Sequence, residues 1–194
     1  MDLIGWEKIL KKTLTGERFT HSLGVQKASL KLAILYGVDP VKAKTAGLLH
    51  DFGKQFSSGE LLRKARELGL PIHPVEEMSP DLLHGPVGAQ LLRRDFGLED
   101  KEIIEAISFH TTGRKEMGAL SRIVFLADYI EENRSFSGVG EIRELSQRDL
   151  REALYKALDR TIHYVLDRGL PLHPHSVDFR NVILLERKDS RRDN

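Results

Sequence analysis

Apolar positions recur at helical spacing along almost the whole chain, and no clear period-two alternation announces a strand. Leu3, Trp6, Ile9, Leu10 and Leu14 predict a first amphipathic helix, ended by Thr15-Gly16. A second is expected over about residues 17–36, with Gly37 as the glycine beyond its last turn. Asp39-Pro40 has the cap-then-proline form of a helix start, and the helix it opens ends at His50-Asp51. A loop over 55–59 leads to a short helix over 60–68, stopped by Gly69. Pro71-Ile72-His73-Pro74 must then be extended, because a proline disfavours helical geometry in the residue before it.

Leu82-Leu83-His84-Gly85-Pro86 reads as a further helix start, with Pro86 in the first turn and Gly97 at the close. Asp100 caps a helix over 101–109 that delivers His110 at its end. Leu120, Ile123, Val124, Ala127 and Ile130 share one face of the next helix, and Asp128 lies within it. Residues 134–140 read as a glycine-broken loop. Ser146 with Asp149 resembles a capping box opening a long helix, with Leu150, Leu154, Leu158 and Val165 inward and Gly169 at its stop. The charged stretch 186–194 lacks apolar residues and is expected to be a disordered tail. No internal repeat, low-complexity tract or composition break stands out. The pattern predicts an all-α fold with one domain over residues 1–185.

Composition narrows the function more than the fold. Lys+Arg 30 against Asp+Glu 29 leaves a net charge of +1, so no basic field awaits a nucleic acid or an anionic membrane. An anionic substrate would have to be gripped by a few placed cations. With Cys 0 the chain has no disulfide, no thiolate metal ligand and no thiolate nucleophile, which suits a reducing cytoplasm. No apolar run approaches the ~18 residues of a membrane span, and the N-terminus lacks a signal pattern. A cytoplasmic protein is expected, and a homodimer is left open.

The candidate chemistry centres on Ala46-Gly47-Leu48-Leu49-His50-Asp51-Phe52-Gly53-Lys54. A carboxylate at the end of an apolar helix needs a cation nearby, and His with Asp suits a divalent transition metal. Taken alone, the pair could equally be a helix C-terminus with a dipole-stabilised imidazole and a solvated Asp. Its company changes that. His21, His84 and His110 also sit at helix ends or on helix faces, and Asp128 interrupts the apolar run Ile123-Val124-Phe125-Leu126-Ala127. Any one of these is ordinarily a satisfied core or loop residue; six of them on separate helices describe a metal site in a bundle core. Six N/O ligands exceed what one catalytic metal needs, so two ions bridged by Asp51 use them better.

The order His21, His50-Asp51, His84, His110, Asp128 resembles that of the HD-domain phosphohydrolases. The local words are Arg18-x-x-His21, Ala46-Gly47-Leu48-Leu49-His50-Asp51-x-x-Lys54, Leu83-His84-Gly85-x-Val87-Gly88-Ala89, Ala106-Ile107-x-x-His110-Thr111-x-Gly113 and Ala127-Asp128-Tyr129-Ile130-Glu131-x-x-Arg134. They are similar to those of the bacterial YqeK-type symmetrical dinucleoside-tetraphosphate hydrolases over roughly residues 17–185. Thr161, Tyr164 and Asn181 also fall where that branch carries such residues. Gly53 stands where alanine is often seen.

The resemblance implies an HD-type helical bundle with a di-metal centre, iron first and manganese, cobalt or zinc as alternatives. His21, His50, Asp51 and Asp128 would hold one ion, and His84, His110 and Asp51 the other. It further implies a substrate of diadenosine tetraphosphate or a close relative, cut to two nucleoside diphosphates by a metal-activated hydroxide at an inner phosphate. Asp51 and Lys54 are the expected catalytic residues. Arg18, Lys54, Thr111, Gly113 and Arg134 are the expected contacts to substrate. His73, His173 and His175 are expected at the surface or on a lid, and His163 half-buried in the long helix. Two other readings stay open: another nucleotide as substrate (a monophosphate, a cyclic nucleotide or a deoxynucleoside triphosphate), or a nucleotide-sensing module without catalysis.

Overall fold

A computed structural model describes residues 3–190. Among them are 11 α-helices and no strand. The helices are α1 (Leu3–Thr13), α2 (Gly16–Tyr36), α3 (Pro40–Leu49), α4 (Ser58–Glu67), α5 (Pro74–Met78), α6 (His84–Phe96), α7 (Lys101–Phe109), α8 (Ala119–Ile130), α9 (Val139–Leu145), α10 (Leu150–Asp167) and α11 (Pro174–Ser190). Single 3-10 turns at Phe52–Gln55 and Pro80–Leu83 deliver the chain into the site region.

Local chemistry accounts for most helix ends. The Thr15 hydroxyl accepts from the Arg18 N–H at 3.3 Å, and Gly37 closes α2 at φ 68°, a conformation glycine adopts without penalty. Asp39 accepts from the amides of Val41 and Lys42 ahead of Pro40, and Asp100 does the same for Glu102 and Ile103. Between its ends α8 buries Leu120, Ile123, Val124, Phe125, Leu126 and Ala127, so it forms the axis of the core. Helices α2, α3 and α7 pack around it, and Trp6 and Leu10 of α1 close one end.

Five expectations need correction. Helices α5 and α9 and most of α11 lie in segments with no long periodic face. Ser146 does not start α10; its N–H ends α9 on the Ile142 carbonyl, and Asp149 caps α10 by accepting from Glu152 at 3.0 Å. The charged stretch from 186 is helical as far as Ser190. Glu186 pairs with Arg122 at 2.8 Å and Arg187 with Glu152 at 2.6 Å, interactions across the fold that a charge count along the chain does not disclose. Residues 191–194 of the expected tail lie outside the described residues. His173 is buried and not at the surface, while His163 is exposed and not half-buried.

Candidate metal centre

All six expected ligands meet in one place. His21 comes from α2, and His50 ends α3 with Asp51 beside it. His84 opens α6, His110 ends α7, and Asp128 lies near the end of α8. The four imidazoles and Asp51 are buried, whereas the Asp128 side chain keeps 22% of its surface open.

The histidines are oriented by helix termini. His50 Nδ1 donates to the Gly47 carbonyl at 2.8 Å and His110 Nδ1 to the Ile107 carbonyl at 2.7 Å. His84 Nδ1 donates to the Asp81 carbonyl in the same three-residue pattern. The Gly47 and Ile107 carbonyls belong to terminal turns, where backbone acceptors lack helical partners, while the Asp81 carbonyl also takes the His84 N–H. His21, mid-helix, has no such carbonyl and uses the buried carboxylate of Glu131 at 3.1 Å. With the proton fixed on Nδ1, every neutral ring presents a bare lone pair at Nε2.

Those lone pairs converge. His84 Nε2 lies 2.9 Å from His110 Nε2, and His21 Nε2 lies 3.2 Å from His50 Nε2. Two acceptors cannot bond one another, whereas a cation placed among them would be bound by both. Asp51 divides its oxygens between the pairs. Its Oδ2 faces His50 at 3.4 Å and His21 at 3.8 Å, and its Oδ1 faces His84 at 3.2 Å and His110 at 3.7 Å. Asp128 Oδ1 lies 3.0 Å from His21 Nε2 and 3.9 Å from His50 Nε2. Three triads bring their donor atoms within 4.8 Å: His21-His50-Asp51, His50-His110-Asp128 and Asp51-His84-His110. The residues present fit divalent metal ions.

The ionisation of the site agrees. Burial pushes Asp51 up, but the imidazoles of His50, His110 and His84 gathered around it outweigh that and hold the carboxyl well below its usual range. Burial also opposes ionisation of Asp128, where the neighbouring His21 and His50 imidazoles and the Arg134 guanidinium prevail and hold it below its usual range. Burial pushes His84 down to about 4, so at neutral pH its Nε2 lone pair is available.

The expected substrate contacts are placed unevenly. Arg18 pairs with Asp51 at 2.9 Å and Arg134 with Asp128 at 2.7 Å, each with more than a third of its side chain exposed. Lys54 sits one 3-10 turn past Asp51, with its Nζ 3.9 Å from the Asp81 carboxylate. The Thr111 hydroxyl is 3.0 Å from His110 Nε2 and 3.3 Å from His84 Nε2. Gly113 is different: at φ 65° and buried against Phe179, it turns the loop and offers no surface to a ligand.

A cleft of about 640 Å³ opens from the His/Asp cluster, lined by His110, Thr111, Asp128 and Arg134 at one end and by Tyr129, Phe136, Thr161 and Tyr164 beyond. Asn181 is exposed and is not part of its wall. Glu131 was not singled out from sequence, although it follows Asp128 by three residues and so returns to nearly the same helical direction. Two glycines belong with the site for lack of room. A Cβ on Gly24 would collide with the Glu131 carboxylate, and one on Gly53 with the His84 carbonyl. The glycine that departs from the usual alanine is therefore required in this chain.

Known proteins resemble this chain over most of its length. The HD-domain family matches residues 18–133. A symmetrical bis(5'-nucleosyl)-tetraphosphatase of Halalkalibacterium halodurans is 39% identical over 93% of this chain and 96% of its own. Its counterpart of the same name in Bacillus subtilis is 36% identical over 85% of this chain and 88% of its own. A crystal structure from Clostridium acetobutylicum, described as a predicted HD superfamily hydrolase involved in NAD metabolism, superposes with a TM-score of 0.92 at 35% identity, covering 96% of this chain and 98% of that one. Motif order, site geometry and likeness over nearly full length thus agree: the chain belongs to the HD-domain family, in its branch of symmetrical bis(5'-nucleosyl)-tetraphosphatases.

Proposed function

We propose that this protein hydrolyses diadenosine tetraphosphate and related dinucleoside polyphosphates to two nucleoside diphosphates, using two divalent ions, iron first. The observation that carries the two-ion reading is Asp51, whose oxygens are turned to two separate histidine pairs. The names of the relatives supply the substrate class. Bound there, two ions would offer Lewis acidity toward a phosphoryl oxygen and a hydroxide nucleophile at neutral pH.

The chain's own part is to hold, orient and neutralise. Asp51 would be a ligand to both ions, while Glu131 and the terminal carbonyls hold the rings to their tautomer. Arg18 and Arg134 stand on the metal-ligand carboxylates with part of each guanidinium exposed, and Lys54 flanks the other side. These three cations are set to take up the charge of a polyphosphate and of its diphosphate leaving group. The aromatic wall of Tyr129, Phe136 and Tyr164 suits a nucleoside beyond the phosphates.

The test is product analysis in water labelled with heavy oxygen, on protein of measured metal content. Two ADP are expected from diadenosine tetraphosphate, with label in one of them per turnover. Equal AMP and ATP would overturn the symmetrical assignment. Turnover of NAD or mononucleotides alone would reject the substrate class, and absence of all turnover with iron, manganese or cobalt would favour a sensing module.

A further inference from the structure

A six-residue word occurs twice, 100 positions apart: Gly69-Leu70-Pro71-Ile72-His73-Pro74 and Gly169-Leu170-Pro171-Leu172-His173-Pro174. The expectation of no internal repeat missed it, because the word is shorter than any repeating unit of fold. Its two copies adopt the same structure. Gly69 and Gly169 take φ 66° and 61° after a helix. The amides of Leu70 and Leu170 return to the carbonyls of Ala65 and Val165, five residues back, which is the six-to-one bond of a Schellman closure. Each histidine then caps the next helix, its Nδ1 accepting from the amide two residues on, at 3.1 Å in His73 and 3.2 Å in His173.

The two caps meet. The His73 and His173 rings are 4.9 Å apart between centroids, and His175 packs on His173 at 4.6 Å. Glu76 joins the copies, taking the His73 N–H at 2.7 Å while its other oxygen lies 3.9 Å from His173 Nε2. That Nε2 is buried and has no hydrogen-bond partner among the described residues. Burial, with His175 and His73 beside it, pushes His173 down to about 4, so the ring is neutral at pH 7. With Nδ1 taken by a backbone N–H, the neutral ring carries its proton on Nε2. This is the opposite tautomer to that of the metal centre, so the cluster is built for contact and not for metal ligation.

Each copy leads to one metal ligand. From His73 the chain runs through α5 to Asp81, whose carbonyl orients His84. From His173 it runs into α11, where the Ser176 hydroxyl donates to the Thr112 carbonyl at 2.9 Å and Phe179 fills the space beside Gly113. His175 also packs edge-on to Phe109, the residue before His110. We propose that His73 and His173 form a clasp that sets the spacing of His84 and His110 through the segments that carry them. Both are positioning residues, and the inference rests on the reading of those two imidazoles as the second ion's ligands.

The variants His73→Asn and His173→Asn keep a capping acceptor while removing the ring. Metal titration of each should show the weaker of two ions losing affinity by about 10–100-fold, the range typical of lost outer-shell support, with the tighter ion unaffected. In metal-free protein, the ring-nitrogen resonances of His84 and His110 should shift while those of His21 and His50 stay. The double variant should be no worse than either single one, because the two rings act as a pair. Parental affinities with unmoved His84 and His110 resonances would overturn the clasp. So would loss of both ions with all four rings shifted, which is a general failure of the bundle. Fewer than two ions in the unaltered protein would instead reject the two-ion reading, and the metal-free resonances would still decide the clasp.

Discussion

The two halves of the metal centre are built from different materials. On one side, His21 and Asp128 project from the long helices α2 and α8, with the Glu131 carboxylate behind and Arg18 and Arg134 in front. On the other, His84 and His110 stand at helix termini, oriented by carbonyls, with Thr111 and Lys54 as polar neighbours. Asp51 faces both, and His110 also comes within reach of His50 and Asp128. The first half brings a carboxylate of its own and a second behind it, whereas the second has two imidazoles and a share of Asp51. Coulomb attraction therefore favours tighter metal binding in the first half. The second rests on loop and helix-end contacts, which open locally more readily than α2 and α8.

Substitutions can break this contrast in order of size. Asp51→Ala should release both ions and lower kcat by on the order of 10³-fold or more, since the shared ligand also orients the reacting groups. Retention of both ions by that variant would end the bridging role. Stepwise chelation should next remove the His84/His110 ion before the other, and Glu131→Gln should narrow the gap by weakening the first ion about 10–100-fold. Simultaneous release in the unaltered protein would mean the halves are equivalent. Lys54→Ala should leave both ions bound and reduce kcat/KM by about 10–100-fold, an effect expected of a cation that meets charge developing on substrate. Unchanged kinetics would return Lys54 to an ordinary surface pair with Asp81.

The smallest effect tests the support of the second half through α11. The bond from Arg122 holds Glu186 below its usual range, with burial opposing. A carboxyl depressed on folding contributes stability that is present above its unfolded pKa and lost as pH falls through the folded one. Glu186→Gln should therefore cost about 0.5–1 kcal/mol at pH 7, a figure kept low because the pair is partly solvated. The difference from the parent should shrink on acidification below about pH 4.5, toward the lower folded pKa. Denaturant melts at pH 7 and pH 3.5 would measure it, and a constant difference would detach the effect from this ion pair.

Sequence alone determined many of the helix ends, because caps and closures act over four or five residues. Asp39-Pro40, Asp100 and Gly37 named their elements without help from the rest of the chain. It also singled out the six His and Asp residues that meet in one cluster, because an Asp inside an apolar helix and histidines at helix ends are anomalies visible one by one. The tertiary structure decided what those anomalies share. Only packing placed Asp51 between two imidazole pairs, put Glu131 behind His21, and set Gly53 against the His84 carbonyl. Helices α5, α9 and α11 escaped the sequence for the same reason. They are short or charged, and their partners, such as His173 for His73 and Arg122 for Glu186, lie about 60–100 residues away, beyond the reach of any local period.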